Sequence, residues 1–217
     1  MTTSASSLKK VKICGLTDNQ AVEAAVHGRA AFLGFVCVEQ SKRYILPQKA
    51  SKLSHLLSYD QASVALFANA TYYDIDNVFQ SFVPDIIQLH GDETPDFVQK
   101  VKEEFMRPVI KAVPVQNAQD IEVAASFHKI ADMMLFDAKP PAGAVVTGGH
   151  GQSYDWSILS SFQTHNIPYF VAGGITIHNA LKAKEVSGAN YIDLSSGVEI
   201  RPGQKDPKLI ADLLSLF

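Results

Sequence analysis

The chain has 217 residues, 47% hydrophobic and 19% charged, with a formal net charge of -3 at pH 7. That length allows one large or two small domains, and the balance of residues is that of a soluble globular protein. The slight acidity gives no electrostatic case for nucleic acid or an anionic membrane, and no apolar run approaches the roughly 18 residues of a membrane span.

Residues 1–9 are polar and lack the apolar stretch of a signal peptide, so they are expected to be a disordered lead-in to a single domain over 10–217. Short apolar or β-branched runs follow at 11–14, 31–37, 64–68, 86–89, 109–113, 133–137, 169–172 and 191–194, and each reads as a strand. Between most of them the apolar residues recur at steps of three and four, the helical period, as over 19–28 and 95–105. Asp18, Thr94 before Pro95, and Asp206 before Pro207 mark helix starts, while Gly28 and Gly188 suit helix ends. The least regular stretch is 71–82. Cys14 and Cys37 both fall in strand-like runs without CxxC or Cys/His spacing, which fits free thiols in a reducing cytoplasm and no metal centre.

Eight strand–helix units without a long linker favour one (β/α)8 TIM barrel over an open sheet, with short helices. In such a barrel, strand ends distant in sequence converge on one mouth, so Cys14 and Asp137 are placed to face one substrate as an acid–base pair. The last two predicted strands end in Gly173 and Gly174 and in Ser195, Ser196 and Gly197, residues whose backbone can approach an anion closely. Two such loops at one corner favour a phosphate site over ordinary turns.

The chain resembles the phosphoribosylanthranilate isomerases. The resemblance is carried in order by KICGLT from Lys12, GFV and SKRYI across Gly34 to Ile45, IQLHGDE from Ile87, IKAV from Ile110 and LFDA from Leu135. It continues through GGHG and YDW from Gly148, VAGGIT from Val171, IDLSSGVE from Ile192 and PGQKD from Pro202. It implies an Amadori rearrangement of a phosphoribosyl-anthranilate in tryptophan biosynthesis, without metal or cofactor. Cys14 is the implied general base and Asp137 the general acid. Arg43 falls where the family binds near the anthranilate carboxylate. The expected partner is the small phosphosugar-anthranilate substrate. Monomer or homodimer, and association with other pathway enzymes, stay open.

Each residue also has a plainer reading. A buried cysteine is usually a small hydrophobe, and Cys37 is read that way. Asp137 has the alternatives of helix cap or ion-pair partner of Lys139, and Arg43 that of a surface residue. Gln88 and His90 alternate on one strand and point to one face; His90 either contacts the substrate or is a packed, satisfied histidine. Asp193 is expected to orient a neighbouring site group or brace the interior. His150 in GGHG departs from the small hydroxyl residue usual in the family. The rival functions are another phosphosugar barrel enzyme and a non-catalytic barrel that only binds a phosphorylated ligand.

Overall fold

The structure, a computed structural model, describes residues 7–139 and 153–217. Eight parallel strands close into a barrel: β1 (Lys9–Cys14), β2 (Ala30–Val36), β3 (Ala62–Phe67), β4 (Ile86–Leu89), β5 (Val109–Val115), β6 (Met133–Ala138), β7 (Tyr169–Val171) and β8 (Tyr191–Leu194). Each strand pairs with the next, and β8 pairs back onto β1 through Val11↔Ile192, Lys12↔Asp193 and Ile13↔Leu194. The TIM barrel expected from the alternation is the observed fold. The lead-in is outside the described residues as far as position 6, and Lys9 already belongs to β1.

The helices are α1 (Asn19–His27), α2 (Pro47–Ser54), α3 (Tyr72–Phe79), α4 (Pro95–Phe105), α5 (Ala118–Ala125), α6 (Ala180–Ser187) and α7 (Pro207–Leu214). Their starts follow from local chemistry. Asp18 accepts from Ala21 N, Thr94 from Phe97 N, and Asp206 from Lys208 N and Leu209 N, each satisfying donors the helix leaves unpaired. The irregular stretch at 71–82 forms α3 because Thr71 and Asp74 cap each other's backbone reciprocally. Gly188 ends α6 in the left-handed conformation at φ 65°, whereas Gly28 ends α1 at φ -71°. A Cβ on Gly28 would lie 2.4 Å from Leu214 Cδ1, so this glycine serves the seating of α7 against α1.

Two departures from the expected pattern matter. After β6 the described residues contain no α-helix before β7, only a 3-10 segment, Trp156–His165. After β8, an unexpected hairpin of β9 (Glu199–Arg201) and β10 (Gln204–Lys205) precedes α7.

Strand alternation sorts the core. Val11 and Ile13 face the helices with most of the buried hydrophobics, while Val64, Ile86, Ile110, Ala112, Leu135, Phe170 and Ala172 fill the barrel interior. Phe32, Phe170 and Tyr191 pack there ring to ring, with centroids 4.8 to 5.2 Å apart. Above this plug sit Cys14, Val36 and Leu66. The barrel is therefore solid below and polar toward the C-terminal ends of its strands, where the βα loops converge.

Candidate active site

Cys14 ends β1 and is buried. Two residues earlier on the same strand, Lys12 points to the same side and is fully buried. Its Nζ donates to Asp193 Oδ1 at 3.0 Å and also reaches the Cys14 sulfur. Burial works against the Lys12 ammonium, but Asp193 and Cys14 outweigh it and hold its pKa above the usual lysine value. Burial likewise pushes the Cys14 thiol up. Lys12 pulls it down, Asp193 opposes that pull and Lys205 assists it, and burial prevails. The resting thiol is thus protonated at neutral pH, because the pull of Lys12 does not offset burial. Asp193 holds the Lys12 ammonium across the β1–β8 seam. Cys37 is half-buried and burial pushes its thiol up to about 12, consistent with a packing residue.

Across the mouth, Asp137 projects near the end of β6. Its Oδ1 accepts from Ala138 N at 2.8 Å and its Oδ2 lies 3.3 Å from His90 Nε2. Among the described residues it caps no helix, and Lys139 turns instead to Asp120 at 3.6 Å. Gln88 Nε2 lies 2.8 Å from His90 Nδ1. With that amide donating, the ring proton sits on Nε2, aimed at Asp137. Gln88 is fully buried, and its Oε1 has no hydrogen-bond partner among the described residues. Tyr154 lies close to Asp137; burial, and then that carboxylate's charge, raise its phenol pKa well above the usual value.

Arg43 is not a loosely held surface arginine. Its side chain crosses Gly15, whose φ of 80° and missing Cβ leave the space: a Cβ there would sit 2.8 Å from Arg43 Cδ. The guanidinium Nε and Nη2 grip Glu199 Oε1 and Oε2 at 2.7 and 2.8 Å, a bidentate fork. Glu199 also accepts from Lys205 Nζ at 2.7 Å. Lys205 in turn donates to Ser195 O and Oγ, and Ser195 Oγ donates to the Cys14 carbonyl at 3.0 Å. Glu199 and Lys205 lie inside the quoted motifs, yet no periodicity marks them as site residues. The available signal is Pro202-Gly203 flanked by opposite charges just after a barrel strand, which describes a hairpin carrying a cross-strand ion pair.

The two glycine loops do meet. Gly173 and Gly174 take φ of 84° and 64°, and Asn179 closes their loop by donating to Gly174 O at 3.0 Å and accepting from Thr176 N at 2.7 Å. A Cβ on Gly173 would lie 2.7 Å from Ala138 N, beside Asp137. A Cβ on Gly197 would lie 1.9 Å from Ile175 O, so Gly197 is required for the contact between the loops whatever else it does. Among the described residues, the backbone N–H groups of Gly174, Ser196 and Gly197 donate to no carbonyl. The GGHG segment with His150 lies outside the described residues. Among those described, no group of three or more His, Cys, Asp or Glu is arranged to hold a metal ion, and no helix is long and apolar enough to cross a membrane.

A closed parallel barrel that brings a thiol from β1 and a carboxylate from β6 to its mouth, beside loops after β7 and β8 whose backbone donors meet no carbonyl among the described residues, has the architecture of the TIM-barrel enzymes. The family model described as N-(5'-phosphoribosyl)anthranilate isomerase matches residues 11–215. The isomerase of Rhodospirillum rubrum is 42% identical over 205 residues, covering 93% of this chain and 94% of the relative. The solved isomerase from Thermotoga maritima superposes with a TM-score of 0.85 at 33% identity, covering 94% of this chain and 96% of its own. Another solved isomerase, bound to reduced 1-(o-carboxyphenylamino)-1-deoxyribulose 5-phosphate, gives 0.82 at 31% identity, with coverage of 94% and 96%. The chain belongs to the N-(5'-phosphoribosyl)anthranilate isomerase family and is an isomerase.

Gly34, on β2 opposite Cys14, offers a test of this packing. A Cβ there would fall 3.0 Å from Cys14 Sγ and 3.2 Å from Lys12 Nζ. Gly34→Ala is therefore expected to lower kcat by about tenfold or more through displacement of the thiol, with the melting temperature nearly unchanged. An unaltered kcat would mean that the sulfur's position does not matter.

Proposed function

We propose that the chain converts N-(5-phosphoribosyl)anthranilate to 1-(2-carboxyphenylamino)-1-deoxyribulose 5-phosphate, a step of tryptophan biosynthesis in the cytoplasm, with Asp137 as general acid and Cys14 as general base. The observation that carries the reading is the pairing of a lysine-flanked thiol on β1 with a histidine-contacted carboxylate on β6 at the same barrel mouth.

As general acid, Asp137 delivers a proton to the ribose ring oxygen as the C1–O bond breaks, leaving an iminium at C1. His90 Nε2–H and Ala138 N–H then stabilise the carboxylate that remains. The iminium charge and the two lysines favour the thiolate: the Cys14 thiol releases its proton to solvent, and the thiolate takes the C2 proton once the ring is open. The enolamine tautomerises to the ketone. Gln88 Oε1 is a buried acceptor suited to a ribose hydroxyl. Arg43 spends its Nε/Nη2 edge on Glu199, and its Nη1/Nη2 edge suits the planar anthranilate carboxylate. The unpaired N–H groups of Gly174, Ser196 and Gly197, with Gly173 shaping the loop, suit the phosphate. The R. rubrum and T. maritima relatives bear the same activity in their names, which supports this reading.

The acid–base assignment predicts that Cys14→Ser and Asp137→Asn each reduce kcat by a factor of about 10² or more, with substrate affinity and melting temperature little changed. Turnover within a few-fold of the parent would remove that residue from the mechanism.

A protonated resting thiol also sets the pH dependence. The base is active only when deprotonated, and burial holds its pKa above the usual thiol value of about 8.5. In Asp137→Asn, where no carboxyl acid titrates alongside the thiol, the residual kcat/KM, which reports the free enzyme, should therefore climb between about pH 6 and about pH 9. The kcat profile should level off at lower pH, because the iminium assists. A flat kcat/KM profile over that range would sink the thiol as base.

For the phosphate corner, Gly197 cannot be varied without separating the loops, so Gly174 is the informative site. Gly174→Asn keeps a residue that tolerates the left-handed backbone while adding a side chain. Inorganic phosphate should compete with substrate in the parent and several-fold more weakly in this variant. Equal inhibition constants would place the anion elsewhere.

A further inference from the structure

The hairpin β9–β10 has no counterpart in the strand–helix alternation, and it carries two of the most deeply buried charges in the protein. The side chains of Lys205 and Glu199 are 0% and 4% exposed, and Arg43 is 12% exposed. Burying such ions is costly, and a buried ion pair is often no better for stability than well-packed apolar residues, so stability alone does not account for them. Their arrangement has a charge logic instead. Arg43 and Glu199 together are electrically neutral, and an arginine so paired offers an incoming carboxylate little net attraction. Glu199 would itself repel that carboxylate. Lys205 Nζ, 2.7 Å from Glu199 Oε1, changes the balance: two cations share one anion, and the cluster keeps a net positive charge. Burial sets the Lys205 pKa below the usual lysine value, and Glu199 works against that lowering. The carboxyl of Glu199 is kept below its usual pKa against burial by Arg43 and Lys205.

The cluster is also mechanically fixed. Glu199 occupies the Nε/Nη2 edge of Arg43, which sets the plane of the fork. Among the described residues, Nη1 makes no hydrogen bond, so the Nη1/Nη2 edge is the one left to meet a ligand. A Cβ on Gly203, at the hairpin turn with φ 88°, would lie 2.3 Å from Lys42 O, so the hairpin packs directly on the loop that carries Arg43. Lys205 further holds Ser195 O and Oγ at 3.0 and 3.1 Å, and Ser195 holds the carbonyl of Cys14.

We propose that Lys205 is a positioning and specificity residue: by neutralising Glu199 while Glu199 orients Arg43, it gives the site a net positive, pre-aimed receptor for the aromatic carboxylate of the substrate. This rests on the reading above in which Arg43 meets that carboxylate. Lys205 touches no reacting atom. It acts through Glu199 and Arg43, and the consequence is discrimination between a ring with an ortho carboxylate and one without.

The test is calorimetric binding of two ligands to the full chain: reduced 1-(o-carboxyphenylamino)-1-deoxyribulose 5-phosphate and the same compound lacking the ring carboxylate. The parent should prefer the first. In Lys205→Met the Kd of the carboxylated ligand should rise about tenfold, because Glu199 then cancels Arg43, while the other ligand's Kd stays within about twofold. In the double variant Glu199→Gln, Lys205→Met, which removes one charge of each sign, the preference should return to within about threefold of the parent. Lys205→Gln, which retains polar contacts without charge, is made alongside so that a folding failure of the methionine variant leaves the comparison intact. Equal weakening of both ligands, or a double variant as poor as the single, would overturn the proposal and leave Lys205 as a structural ion. A parent that does not distinguish the two ligands would instead overturn the assignment of Arg43 to the carboxylate, a separate failure from the first. Preference retained in the Lys205 variants would refute only the role of Lys205.

Discussion

The closing seam between β1 and β8 is the constraint on which the site depends. Pairing of Lys12 with Asp193 across that seam puts a lysine from the first strand 3.0 Å from an aspartate of the last, although 181 positions separate them in the chain. Without closure, Lys12 would be a cation on an open strand edge, and Cys14 would lose the neighbour that draws its thiol toward ionisation. The ion pair and the barrel are therefore mutually dependent: the ladder supplies the proximity, and Asp193 lets a fully buried ammonium exist in the interior. The same seam sets Ser195, just beyond β8, against the carbonyl of Cys14.

From this follows an unequal division of the mouth. The β1 side is cationic, with Lys12, Lys205 and Arg43 clustered around two carboxylates, and the β6 side presents Asp137 with His90 behind it. A substrate carrying negative charge at both ends and a transient positive charge between them suits such a division. Under the proposed mechanism, the thiol that is reluctant to ionise in the resting protein becomes a better base only beside that transient cation, which would restrict its reactivity to the complex.

The fold was legible because its determinants are local. β-branched runs, and caps such as Asp18, Thr94 and Asp206, lie within a few residues of what they specify. Even 71–82 contained its helix signal in the Thr71/Asp74 pair, although its apolar period was irregular. Cys14 and Asp137 were legible as strand ends, and Gln88 and His90 as neighbours on one strand face. What sequence did not reveal was pairing at long range: that Arg43 would spend half its fork on Glu199, 156 positions away, or that His90 would reach Asp137. Nor did the residue pattern distinguish Gly197 as a backbone anion donor from Gly197 as the glycine demanded by Ile175 O, since both uses require the same residue. The 3-10 segment after β6 escaped for a different reason, because Asp155 caps it as it would cap an α-helix.

The seating of α7 on α1 at Gly28 bears on how the chain is made. A ribosome releases β1 and α1 first, and the partners that cover them, β8 and α7, emerge only after nearly all of the remaining sequence. Throughout that interval the first strand is an uncovered sheet edge, the kind of surface on which nascent chains adhere to one another. Its sequence, Lys-Lys-Val-Lys-Ile-Cys, places three like charges among its six residues. Charge at an open edge discourages strand-to-strand association. Lys12 thus stands first on an unfinished sheet edge and later inside the closed barrel, and the arrival of β8 and α7 separates the two states.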